Sequence, residues 1–148
     1  MATFTSHSPQ ETAALGEQWG RAARQPWLIG LTGELGAGKT LLAGGLALGL
    51  GVTARVPSPT FSLIHEYRGG RLPFWHLDLF RLPTHAEIIG AGLEPYLCRP
   101  QGVVVVEWIE RWMGQEPGPL APGLLFRRVE IKTAGLSDRE ISYEDFGS

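Results

Sequence analysis

Gly33-Glu34-Leu35-Gly36-Ala37-Gly38-Lys39-Thr40 follows the pattern G-x-x-x-x-G-K-T, that of a phosphate-binding loop. The physical reason lies in the residue types. Gly33, Gly36 and Gly38 let the backbone curl tightly and bring its N–H groups close to a polyphosphate. Lys39 then reaches the outer phosphates, and the Thr40 hydroxyl is placed to ligate Mg²⁺. At average composition the pattern arises by chance in roughly 0.5% of chains this long. The flanks make chance a poorer account still. Trp27-Leu28-Ile29-Gly30-Leu31 is a short apolar run, as a buried parallel strand requires. Thr40-Leu41-Leu42-Ala43 opens a helix whose N-terminus points at the phosphates.

The loop helix is expected over about 38–50. Gly44, Gly45 and Gly49 each cost it up to about 1 kcal/mol relative to Ala, which predicts intimate packing of that helix in the core. Upstream, Ser8-Pro9-Gln10-Glu11 reads as a capping box with Pro at the first helical position, opening a helix over about 9–23. A short strand, Ala2–Thr5, precedes it. Both are read as packing elements.

Downstream, Phe61–Tyr67 and Leu72–Phe80 flank the turn Arg68-Gly69-Gly70-Arg71 and predict a β-hairpin. A hairpin directly after the loop helix is unlike a simple βαβ repeat, so the sheet is expected to be mixed. Thr84 with Glu87 starts a short helix near 84–91. Gly102–Val106 is a continuous β-branched run, the signature of a central strand buried on both faces. Gln115–Gly123, with three prolines, is a loop, and Leu124–Lys132 with Glu140–Tyr143 suggests a closing antiparallel pair.

Glu107 ends the run Val103-Val104-Val105-Val106, a Walker-B-like arrangement. A central strand carries its carboxylate to the sheet edge where the phosphate loop lies, to hold Mg²⁺ or to orient the attacking water. In His76-Leu77-Asp78-Leu79-Phe80-Arg81, alternation puts His76, Asp78 and Phe80 on one face and Leu77, Leu79 and Arg81 on the other. An acid in an apolar strand is costly unless paired or metal-linked, so Asp78 is either a structural ion pair or a metal-shell ligand. Thr60, in a Pro-flanked segment, sits where a switch threonine touches Mg²⁺ or the γ-phosphate. Trp108 either covers the nucleotide or belongs to the core. Which of Glu107 and Asp78 serves metal and which serves water is left open by spacing. Arg81 is the candidate arginine finger.

Bulk properties bound the rest. The chain has 148 residues, enough for one domain over 1–148, with 43% hydrophobic and 19% charged residues. No apolar run spans a bilayer, and the N-terminus lacks the basic-then-apolar order of an export signal. Cys98 is the single cysteine, so no internal disulfide forms. A cytoplasmic location is expected, with no membrane partner. Net charge is −2, so the overall field does not attract nucleic acid. The chain contains no Asn, which excludes the Asn-Lys-x-Asp guanine reader and favours ATP.

Gly33–Thr40, Ser58-Pro59-Thr60-Phe61, Glu66-Tyr67, His76–Arg81, Gly92–Leu97 and Val106-Glu107-Trp108 occur in an order and spacing similar to the TsaE family, over roughly residues 8–112. The Ser-Pro-Thr-Phe, His-x-Asp-Leu-x-Arg and Val-Glu-Trp elements are far more specific than the loop alone. The family is the bacterial ATPase of threonylcarbamoyladenosine formation in tRNA. The resemblance implies an α/β fold: a P-loop NTPase-like three-layer sandwich with a mixed central sheet. It implies slow hydrolysis of ATP with Mg²⁺, resetting a complex with TsaB-like and TsaD-like partners, tRNA being met through that complex. Gly33, Glu34, Leu35, Gly36, Ala37, Gly38, Lys39, Thr40 and Leu41, with Thr60 and Trp108, form the implied nucleotide site. Lys39, Asp78 and Glu107 are the implied catalytic set, and Thr40, Asp78 and Glu107 the metal set. Phe80 and Ile109 stand where the family often has Tyr and Pro, positions outside the phosphate chemistry. The alternative is a small-molecule kinase on the same fold, although no arginine-rich lid is evident.

Overall fold

The computed structural model describes residues 1–34, 38–55, 63–114 and 120–147. In chain order the elements are β1 (Ala2–Ser6), α1 (Pro9–Ala22), β2 (Trp27–Gly33), α2 (Lys39–Gly49), β3 (Ala54–Arg55), β4 (Ile64–Arg68), β5 (Phe74–Asp78), α3 (His85–Gly90), α4 (Glu94–Cys98), β6 (Val103–Glu107), α5 (Glu110–Met113), β7 (Phe126–Thr133) and β8 (Arg139–Phe146). The strands form one sheet in the order β1-β8-β7-β2-β6-β5-β4-β3. β5, β6, β2 and β7 run parallel through its middle. β4 and β3 extend it antiparallel on one side, β8 and β1 on the other. The sheet is mixed, as a hairpin following the loop helix predicts.

Alternation along the central strands sorts their side chains into two cores. Ile29, Leu31, Val103, Val105 and Phe74 pack with Leu15, Trp19, Leu42 and Leu46 of α1 and α2. Leu28, Val104, Val106 and Leu77 pack with Ile88, Leu97 and Ile109 on the opposite face. Val103 to Val106 are fully buried, which is why that strand reads as an unbroken apolar run rather than an alternating one. No helix among the described residues is long and apolar enough to cross a membrane.

The helix starts follow their caps. Ser8 Oγ accepts the Glu11 N–H at 3.1 Å, and Glu11 Oε1 accepts the His7 N–H at 3.1 Å. Thr84 Oγ1 accepts the Glu87 N–H at 3.2 Å and opens α3. The glycines of α2 are explained by α1. A Cβ at Gly45 or Gly49 would collide with the carbonyl of Ala13 or Glu17, and one at Gly16 or Gly20 with that of Leu42 or Leu46. The helices therefore cross with backbones in near contact. Gly44 faces open space and takes no part, contrary to the expectation that all of the α2 glycines near its middle serve packing.

Some elements differ from expectation. β2 runs to Gly33, two residues beyond the apolar run, because its parallel pairing with β7 continues to Ile131. The hairpin strands are shorter than expected, Ile64–Arg68 and Phe74–Asp78. The short elements β3, α4 and α5 were not expected at all; none is long enough to show a clear period. Leu93, the N-cap of α4, and Leu97 within it lie one turn apart and are both buried, a signal too brief to stand out.

Candidate nucleotide site

Parallel pairing brings three strand ends to one edge. β2 hands over to the loop at Gly33, and β5 and β6 end side by side with Asp78 opposite Glu107 in register. Glu107, Asp78 and His76 share the sheet face that carries Val105 and Phe74, the face covered by α1 and α2. The first turn of α2 therefore meets the two acids.

The contacts there are specific. Thr40 Oγ1 donates to Glu107 Oε2 at 3.3 Å, and the same oxygen lies 2.6 Å from His76 Nε2. Glu107 is 6% exposed and His76 9%. Burial alone would raise the Glu107 pKa. The hydrogen bond and charge of His76, with Lys39 and Thr40, more than offset it and hold the carboxyl below its ordinary value. Lys39 is buried too, and its Nζ donates to the Gly33 carbonyl at 2.7 Å while lying 3.9 Å from the centroid of the Trp108 ring. Burial lowers its pKa, partly countered by the charges of Glu107, Glu110 and Asp78. Asp78 Oδ1 accepts the Phe80 N–H at 3.0 Å, which fixes the turn beyond β5.

Trp108 has φ +64°, the single non-glycine residue in the left-handed region among those described. Its N–H and that of Ile109 both donate to the Leu31 carbonyl, at 3.0 and 3.2 Å, so the chain bends sharply off β6 over β2. Holding a tryptophan there costs about 1–3 kcal/mol, a strain that collects at functional sites. The bend lays the ring against Lys39 and against Phe80, at 5.2 Å between centroids.

Gly38, Lys39, Thr40, Leu41, Asp78, Phe80, Glu107 and Trp108 line one concavity of about 360 Å³. Of the residues singled out from sequence, Lys39, Thr40, Leu41, Gly38, Asp78, Glu107 and Trp108 thus come together. Gly33 adjoins them through Lys39, and Glu34 is exposed beside it. Leu35, Gly36, Ala37 and Thr60 lie outside the described residues. Arg81 is exposed past the end of β5. On the far side of Gly38 and Leu41 a smaller hollow of about 90 Å³ is bordered by Pro9, Thr12, Leu136 and Ser137. Sequence reasoning missed that border, since α1 was read purely as packing. It also missed the tie between His76 and Glu107, although alternation had already placed His76 on the face of Asp78.

The oxygen donors suit a hard cation: a carboxylate, a hydroxyl and a second acid at one cavity. Among the described residues no group of three or more His, Cys, Asp or Glu side chains is set to hold a metal alone. Gly38, with φ +110°, is the N-cap of α2 and supplies no side chain to its first turn, leaving the helix N-terminus suited to an anion.

A family model described as "Threonylcarbamoyl adenosine biosynthesis protein TsaE" matches residues 6–141. The chain is 38% identical over 144 residues to a tRNA threonylcarbamoyladenosine biosynthesis protein TsaE of Bacillus subtilis, covering 95% of this chain and 84% of that one. A protein of the same description from Treponema pallidum is 39% identical over 112 residues, with 76% of this chain and 82% of that one covered. One from Synechocystis is 45% identical over 102 residues, covering 64% of each. The crystal structure of Bacillus subtilis YdiB superposes with a TM-score of 0.72 at 32% identity, over 96% of this chain and 83% of that chain.

Proposed function

This chain belongs to the TsaE family, and from that premise we propose that it is a magnesium-dependent ATPase serving threonylcarbamoyladenosine modification of tRNA. We assign it a single P-loop NTPase-like domain of three layers, a cytoplasmic site of action, and TsaB-like and TsaD-like partners. The observation that carries the reading is the convergence of Lys39, Thr40, Asp78 and Glu107 on one concavity at the C-terminal edge of parallel strands.

Each residue has a role that its contacts support. Lys39 places a buried positive charge where the outer phosphates would lie, held ready by the Gly33 carbonyl and the Trp108 ring. Thr40 and Glu107, already joined by a hydrogen bond, would hold Mg²⁺. When bound, the ion neutralises charge developing on the β/γ oxygens. Asp78, across the register from Glu107, would orient the attacking water. Trp108 and Phe80 wall the cavity, their ring centroids 5.2 Å apart. The nucleoside would find Pro9, Thr12, Leu136 and Ser137 beyond Gly38 and Leu41.

The deciding experiment is phosphate release from ATP with Mg²⁺, with and without a TsaB–TsaD pair. Slow release by the wild type, speeded by partners and abolished in Lys39→Ala, is expected. Unchanged hydrolysis in Lys39→Ala would remove the site from consideration. Transfer of phosphate to a metabolite instead of water would point to the kinase.

A further inference from the structure

Two donors converge on one oxygen of Glu107, and only one of them belongs to the phosphate loop. Thr40 approaches Oε2 from α2 at 3.3 Å, and His76 approaches the same Oε2 from β5 at 2.6 Å. His76 sits opposite Val105 in the β5–β6 register, two residues before the Asp78–Glu107 pair. Its ring therefore reaches diagonally along the shared face to the end of β6. Phe74, His76 and Leu77 of β5 are buried, and the His65 ring lies 6.2 Å from the His76 ring on its other neighbour, β4. A buried imidazole on a central strand is a fixed donor, unlike a side chain on a loop.

We propose that His76 is the positioning residue of Glu107: its Nε2–H pins Oε2 beside Thr40, so that Oε1 is the oxygen turned to the cation. This rests on the reading of Glu107 as a metal-shell acid. Among the described residues the carboxylate would, without His76, keep its one side-chain hydrogen bond to Thr40 and could rotate about its last bond. Outer partners that orient a metal ligand are typically worth about 10- to 100-fold in metal affinity or activity. His76 touches neither phosphate nor metal in this scheme and acts only through Glu107.

The test uses His76→Phe, which keeps a ring but has no donor, and His76→Gln, which keeps an N–H at similar reach. Mg²⁺-dependent binding of ADP is followed by tryptophan fluorescence, and ATP turnover is measured beside it. In His76→Phe the Mg²⁺ needed for half-saturation rises and kcat falls, each about tenfold or more, while ADP affinity without Mg²⁺ stays within about twofold. His76→Gln recovers most of both. A folded His76→Phe protein with wild-type Mg²⁺ dependence and kcat overturns the proposal. So does a loss that His76→Gln fails to rescue. A second arm needs no variant at position 76. In ¹⁵N-imidazole spectra, Glu107→Gln moves the His76 Nε2 resonance and leaves those of His7 and His85 in place. An unmoved His76 signal also overturns the proposal, and this arm decides if His76→Phe does not fold. Failure of the ATPase reading looks different: the wild type itself then binds no Mg²⁺–ADP.

Discussion

Glu107 shows how one side chain can be both buried and charged. The penalty for removing a carboxylate from water is met by His76, Lys39 and Thr40, and the balance leaves its pKa depressed. The consequence for stability has a definite sign. The unfolded chain binds the proton more readily than the native state, so stability rises with pH across the interval between the two pKa values. The contribution is fully present above the ordinary glutamate value near ~4.3 and is lost as pH falls through the depressed native value. Urea unfolding of wild type and Glu107→Gln across acid pH measures this. Any advantage of the wild type is expected to hold steady from neutral pH down to that ordinary value, then to decline on further acidification. An advantage that grew on acidification would contradict the depressed pKa. Lys39 and Glu107 were legible as residues, because loop and strand patterns name them. The Trp108 backbone at φ +64° was not, since no sequence rule marks a left-handed tryptophan.

The pairing of α1 with α2 makes a prediction that separates two neighbouring glycines. Gly45 lies under the Ala13 carbonyl, whereas Gly44 has nothing within 4 Å of its missing Cβ. Gly45→Ala forces the helices apart and is expected to cost about 1–3 kcal/mol, the range for overpacking. Gly44→Ala adds only helix propensity and is expected to gain about 0.5–1 kcal/mol. Urea midpoints of the two variants check both. Equal effects at the two positions would mean that the helices do not cross as described. Sequence foresaw close packing here but not its partner, because a glycine says that something is near without saying what. The caps at Ser8 and Thr84 were readable for the opposite reason. Their partners, Glu11 and Glu87, lie within one turn.

Across the molecule, Arg127 ties the first third of the chain to the last. Its guanidinium lies 4.4–4.9 Å from the rings of Trp19, Trp27 and Tyr143, and it pairs with both carboxylate oxygens of Asp145 at 2.6 and 2.9 Å. A lysine cannot reproduce that planar fork, so Arg127→Lys is expected to cost about 1–2 kcal/mol in urea unfolding while leaving the fold intact. Binding acts on the whole molecule as well. If Mg²⁺–ATP is the ligand, as proposed, a hundred times its Kd would add about 2.7 kcal/mol and raise Tm by roughly 5–10 °C at this chain length. Lys39→Ala is expected to abolish that rise, and a full rise in the variant would move the nucleotide elsewhere.

Chain-local information reached the strand ending at Gly33, the helix beginning at Lys39, the hairpin and the acid at the end of the valine run. Each depends on residues a few positions apart, whose steric and hydrogen-bonding preferences act over a single turn or strand. The seating of His76 against Glu107 lay beyond that reach. The two residues are 31 positions apart, and what joins them is the parallel register of β5 with β6. Register is set by burial of whole strand faces at once, so the assembly of the site belongs to the packed sheet and to no segment of it.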